Sequence, residues 1–180
     1  MIDASKAWLQ NALPVQFQPF INRWRDNTSA PAHQFTPWLL NGEHLGYWDK
    51  QHQQTLENVF NASGLTCTGT HHGIECTHTT GPQVLSAKLA TAGNMLQALG
   101  LVPGWRHEEQ LVMNSLGEVL ATAERALFKT LGFRSRAVHV HVENHRGCVW
   151  TGVRAATKHE NPGMLDNLAA GGIASADCRP

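Results

Sequence analysis

From Pro82 to Leu99 the chain places Leu85, Leu89, Ala92, Leu96 and Leu99 three or four residues apart, the spacing that gathers side chains on one side of an α-helix. Pro82 suits a first helical turn, where an amide would have no partner, and Gly100 suits the left-handed position just past the last turn. A helix with a single apolar stripe must lay it on another layer. The flanking stretches read as strands, so the chain is expected to be α/β (α+β), with hairpins covered by helices.

Trp38 to Asn41 and Leu45 to Trp48 flank Gly42-Glu43, which predicts a hairpin, and Lys50 to Phe60 then offers Leu56, Val59 and Phe60 to a helix face. Leu65 to Thr70 and Ile74 to Thr79 flank His71-His72-Gly73, predicting a second hairpin that uses Gly73 at positive φ in its turn. A strand is expected over Gln110 to Met113. A second helix is expected from Leu120 or Ala121 to Leu131, with the face Leu120, Ala123, Leu127, Leu131 and a stop at Gly132. Val138, Val140 and Val142 alternate with His139 and His141, and Asn144 to Gly147 turns the chain into Cys148 to Arg154, a third hairpin. Beyond Thr157 the composition reads as loop. Met1 to Leu13 fits a short amphipathic helix ahead of Pro14, and Asn22 to Pro37 fits a loop. Residues 1–135 are therefore expected to form an N-terminal α/β domain and residues 136–180 the start of a second, incomplete one.

Composition narrows the partners. Fourteen basic and fourteen acidic residues give a formal net charge of zero, which leaves no broad electrostatic footprint for nucleic acid or an anionic membrane surface. No apolar run approaches the ~18 residues of a spanning helix, and Asp3, Lys6 and Gln10 interrupt the N-terminus, so a cytoplasmic location is expected. Cys67, Cys76, Cys148 and Cys178 are too few and scattered for a disulfide-dense secreted domain and are expected to remain thiols.

A series of landmarks occurs in order along the chain: Trp38-Leu-Leu-Asn-Gly-Glu-His-Leu-Gly46, Gly104-Trp-Arg-His-Glu108, Glu124-Arg125, His139, Val149-Trp150, Arg154, Lys158, and Pro162-Gly-Met-Leu-Asp166 followed by Gly171-Gly172. This series resembles a thiamine-pyrophosphokinase-related branch of the Nudix hydrolases, which carries an extra N-terminal domain ahead of the Nudix fold. The resemblance runs from about Phe20 to Ala174. It implies a Mg²⁺-dependent pyrophosphohydrolase that cuts a diphosphate linkage, with altered thiamine diphosphates as a substrate class. Gln110 stands where the family tends to have an aromatic residue, and Ala176 where a glycine is common.

A Nudix motif reads Gly, five residues, Glu, seven residues, Arg-Glu, an aliphatic residue, any residue, Glu-Glu, any residue, Gly and an aliphatic residue; its helix presents clustered carboxylates to hard cations that also hold the diphosphate. With Gly172 as the first glycine, the first Glu position falls at Cys178 and the sequence stops at Pro180. The expectation is a truncated chain with Gly171 and Gly172 as a motif remnant, no catalytic residues, no metal ligands and no cofactor of its own, Mg²⁺ belonging to the intact family. Such a chain should be inactive alone. Its C-terminal hairpin, with Val149 and Trp150 exposed, should pack on the first domain, aggregate or form a homodimer.

Arg154 and Lys158 flank the loop leading to Gly171-Gly172 and carry the charge a diphosphate needs, though a solvated strand end would look the same. Arg106 is a further candidate for substrate contact, against a structural ion-pair network with Glu108 and Glu124-Arg125. His139, His141 and His145 either approach a diphosphate or line a solvated strand face, and Asp166 reads as a turn cap. A turn at His72-Gly73 would set Cys67 opposite His78 and bring Cys67, Cys76, His78 and His71 to one sheet face. That set could ligate zinc or be ordinary half-buried strand residues. The alternative to a hydrolase fragment is a non-catalytic module that binds a diphosphate ligand or a protein.

Overall fold

The computed structural model describes residues 34–70, 73–158 and 161–178. The helix expected over Met1 to Leu13 lies outside them, as does most of the Asn22 to Pro37 loop. The described residues form three α-helices and ten strands in small sheets, the mixed α/β content expected.

Strands β1 (Phe35–Leu40) and β2 (Glu43–Asp49) pair antiparallel around Asn41-Gly42, both at positive φ. Thr36, Trp38 and Leu40 alternate inward, as period-two geometry requires. Opposite Trp38 stands Gly46, where a Cβ would lie 2.1 Å from the Leu131 carbonyl oxygen. Only glycine lets a later helix close on the sheet here, and Trp38 Nε1 donates to that same oxygen at 3.0 Å. The Asp49 carboxylate accepts from the Gln51 amide at 2.9 Å, starting a 3-10 turn (Lys50–His52) that runs into α1 (Gln53–Ala62). Leu56, Val59 and Phe60 are its buried face.

Strands β3 (Thr66–Thr70) and β4 (Gly73–Thr77) form the second hairpin, and β4 runs parallel to β1, giving the order β2-β1-β4-β3. The register differs from the expected one: Cys67 pairs with Cys76 and Gly69 with Ile74. Gly73 is a strand residue rather than part of the turn. Its φ is +145°, and a Cβ there would lie 2.3 Å from the Pro37 carbonyl oxygen, so the glycine serves the close approach of β1.

Helix α2 (Pro82–Ala98) buries Leu85, Leu89, Ala92 and Leu96 as predicted, whereas Leu99 is the C-cap residue and lies exposed. Strand β5 (Glu109–Met113) pairs with β6 (Val119–Glu124). The second helix is thus shorter than expected, α3 (Arg125–Leu131), because the residues read as its first turns belong to β6. Ala121 and Ala123 point into the core, and the Thr122 amide donates to Ser86 Oγ on α2 at 2.8 Å. The core is continuous through Trp38, Trp48, Phe60 and Phe133, whose ring centroids lie 4.9–5.8 Å apart in contacting pairs.

The C-terminal region is not one hairpin. The turn at Asn144–Gly147 forms, with its carboxamide oxygen accepting from the Arg146 and Cys148 amides. Pairing across it extends only through Glu143 with Val149 and the bond from the Trp150 amide to the Val142 carbonyl. Beyond that point β7 (Ala137–Val140) takes β10 (Ala169–Gly172) and β8 (Thr151–Val153) takes β9 (Leu165–Asn167). The stretch expected to be loop after Thr157 therefore supplies two strands. Val138, Trp150, Val153 and Leu165 stay exposed, while Ile173 lies in a pocket with Gln110, Met113 and Phe128. No helix among the described residues is long and apolar enough to cross a membrane.

Candidate functional site

Arg154 follows β8 and closes a loop at its base: its amide donates to the Met164 carbonyl at 2.9 Å and its own carbonyl accepts from the Gly163 amide at 3.1 Å. Lys158 sits in that loop, exposed, with its amide donating to the Ala155 carbonyl. The Arg154 guanidinium meets Asp166 Oδ2 on β9 at 2.5 Å. Asp166 Oδ1 accepts from the Asn167 amide at 2.8 Å, and the Asn167 side-chain amide lies 2.6 Å from His139 Nδ1 on β7. The Asn167 amide and then the Arg154 guanidinium hold the Asp166 carboxyl below its ordinary range. Arg154, Asp166, Asn167 and His139 thus form one polar cluster joining the two small sheets, with Asp166 the partner of a cation as well as of a backbone amide.

Arg106 lies in a different constellation, before β5. The Glu124 carboxylate accepts from the amides of Arg106 at 2.9 Å, Glu108 at 3.1 Å and Ala126 at 3.3 Å, capping α3. Arg125 donates from the single nitrogen Nη1 to both oxygens of Glu108, at 2.9 and 3.1 Å. The ion pair of this segment is therefore Glu108–Arg125, and Arg106 contributes its backbone while its side chain faces solvent. Glu124 is 9% exposed, so its three donors answer the cost of burying a carboxylate.

Gly171 and Gly172 lie on β10, opposite Val138 and Ala137. Gly171 faces open space, whereas a Cβ on Gly172 would lie 2.8 Å from Gln110 Nε2 and 3.3 Å from the Arg125 guanidinium. Gln110 and Arg125 are therefore neighbours of Gly172, which sequence reasoning did not bring together. The one signal that singled out Gln110 was its departure from an aromatic position.

The expected thiol state and zinc set are overturned at two residues. Cys67 and Cys76 form a disulfide, with Cα atoms 4.1 Å apart, the short separation of a directly opposed antiparallel pair. Both sulfurs are bonded to each other, and the shifted register has removed His78 from the position opposite Cys67. His78 is instead held between Lys88 Nζ at 3.5 Å and Thr80 Oγ1 at 3.1 Å. His71 lies outside the described residues. Cys148 is a free, exposed thiol.

A Mg²⁺ ion requires several hard oxygen donors converging on one point. Among the described residues no group of three or more His, Cys, Asp or Glu side chains is arranged to hold a metal. Asp166 is paired with Arg154, and Asp177 Oδ2 accepts from the Ala174 amide at 3.1 Å. The described residues do not fit the ion, and no step through it follows from them.

The chain is 28% identical over 184 aligned positions to the Arabidopsis thaliana protein named Nudix hydrolase 20, chloroplastic, a match covering 96% of this chain and 49% of that protein. This chain is similar to Nudix hydrolases. A second Arabidopsis thaliana protein, named Nudix hydrolase 24, chloroplastic, is 27% identical over 144 positions, covering 78% of this chain and 39% of its own length. The two similarities support a place in the Nudix superfamily. The chain spans about half the length, or less, of these Nudix relatives. No family model matches it.

Proposed function

We propose that these residues are the N-terminal module and opening strands of a Nudix-type pyrophosphohydrolase of the thiamine-pyrophosphokinase-related branch, acting on a diphosphate linkage such as that of an altered thiamine diphosphate. The observation that carries the reading is the similarity to a Nudix hydrolase along 96% of the chain. The ordered landmarks ending at Gly171-Gly172 are in keeping with it. In this reading Mg²⁺ is held by the carboxylates that follow the first motif glycine in the family. The 180 residues carry Cys178 where the first of these would stand, so alone they bind no catalytic cation and turn over no diphosphate.

Arg154 and Lys158 are the groups that would meet a diphosphate in the longer arrangement, and the exposed apolar side chains of β7 to β9 are the surface through which the isolated chain would self-associate. The test is hydrolysis of oxidised thiamine diphosphate by the purified 180-residue protein with and without Mg²⁺. No turnover above a buffer blank is expected. Monophosphate release that requires Mg²⁺, is abolished by EDTA and survives removal of contaminating phosphatase would overturn the reading.

A further inference from the structure

Three features converge on the end of β10. Gly172 abuts Gln110 and Arg125, so closely that a single added methyl would lie 2.8 Å from Gln110 Nε2. Gln110 is only 4% exposed, so its amide has little room to yield, and Arg125 is held by both oxygens of Glu108. One residue on, the Ile173 amide donates to the Arg136 carbonyl at 3.0 Å, and Ile173 lines a small pocket with Leu111, Met113 and Phe128. The 3-10 turn Ser175–Cys178 then lies against β5. The chain leaving β10 thus lies against β5 and the start of α3, tied by the Ile173–Arg136 bond and crowded at Gly172 by the Gln110 amide and the Arg125 guanidinium.

We infer that Gln110 and Arg125 are positioning residues that seat Gly172, so that the N-terminal module sets where the backbone beyond Gly172 emerges. The inference rests on reading Gly172 as the first glycine of the Nudix motif, and it gives the extra N-terminal module a role in the reaction. A metal-binding helix can present carboxylates productively only if the strand feeding it is fixed to within a fraction of an ångström. The module supplies that fixed point without touching substrate. Gly171 is the internal control, because a Cβ there meets nothing within 4 Å.

The test is hydrogen exchange on the 180-residue protein, comparing Gly172→Ala with Gly171→Ala. Gly172→Ala is expected to speed exchange across residues 169–173 by about ten- to a hundredfold, the range that overpacking a seated position implies, with the β1–β4 sheet unchanged. Gly171→Ala is expected to leave both regions as they are. Equal behaviour of the two variants overturns the inference. If Gly172→Ala loosens the whole chain, the double variant Gln110→Ser with Gly172→Ala decides: recovered protection at 169–173 supports the seat, and no recovery overturns it. Arg125→Lys, which keeps the charge and removes the Nη2 group that abuts Gly172, is expected to speed exchange at the same residues, and its silence would remove Arg125 from the role. These readouts need no catalysis, so a failed seat leaves the Nudix reading standing. Conversely, EDTA-sensitive turnover by the isolated chain would overturn its reading as an inactive module without touching the seat.

Discussion

Reducing the Cys67–Cys76 disulfide tests the part of the structure that departs most from the sequence reading. The two cysteines are nine residues apart, and closing a loop of that size lowers the entropy of the unfolded chain by an amount worth roughly 2.6 kcal/mol in the loop-closure treatment. Little else should change. Cys67 is 6% exposed and Cys76 fully buried, so two thiols in their place remain packed as small apolar groups. The β3–β4 ladder around them keeps its backbone bonds. Urea unfolding with and without dithiothreitol should therefore show the reduced form less stable by that amount, a midpoint shift of about 1.3 M at a slope near 2 kcal/mol/M. In denaturant, thiol titration of the untreated protein should find two fewer reactive groups than after reduction. Coincident unfolding curves together with four titratable thiols in the untreated protein would refute the cross-link and restore the thiol reading.

Replacing Glu124 with Ala strips acceptors from the amides of Arg106, Glu108 and Ala126 and should cost about 2–3 kcal/mol in urea unfolding; a change below about 0.5 kcal/mol would show that water takes over the role. Burial, and then the Arg134 charge, hold the His44 imidazole below its reference value of 6.5. The unfolded chain then binds more protons, so stability is full above pH 6.5 and falls as pH drops below it, and ring NMR finding His44 titrating at or above 6.5 would contradict this. The Asp166 carboxyl is held below 3.8 by the Asn167 amide and Arg154. Its contribution is present above that value and is lost as pH falls through the lower folded-state value. Exchange protection of β8 and β9 should accordingly drop in strong acid, and Asp166→Asn should show the loosened state already at neutral pH.

Much of the fold between residues 35 and 133 was legible because its signals are local. The stripe from Leu85 to Leu96, the Gly100 cap, the turn at Asn144–Gly147 and a first turn read at Gly42-Glu43, one residue beyond the observed Asn41-Gly42, depend on residues close in sequence. Strand β6 was misread because Leu120, Ala123, Leu127 and Leu131 also fit a helical period, and alanine carries too little hydrophobicity to make the alternation of Ala121 and Ala123 audible. What decides for a strand is tertiary: the ladder to β5 and the Ser86 hydroxyl on the Thr122 amide. Gly73 misled for a similar reason. A glycine after two histidines reads as a turn residue, yet it is needed where Pro37 of β1 passes, a contact with no trace in the local sequence. The two-residue slip that followed placed Cys67 opposite the wrong partner and generated the zinc reading.

The candidate site was legible as a set of charges but not as a set of pairs. Arg154 was singled out by its charge near Gly171-Gly172, and its partner Asp166, read as a turn cap and standing opposite Gly152, comes within its reach only because β8 and β9 pair. That hairpin and β10 were invisible in a stretch rich in Gly and Ala, residues with low strand propensity. The pairing changes what Arg154 can do. A diphosphate reaching it must displace a carboxylate 2.5 Å away that also holds a backbone amide. Lys158, exposed on the same loop, is the cation that could tip that competition, since a second positive charge favours a multiply charged diphosphate over a single carboxylate. Diphosphate contact through Arg154 alone is therefore the weaker form of the reading, and Arg154 acting together with Lys158 the stronger one.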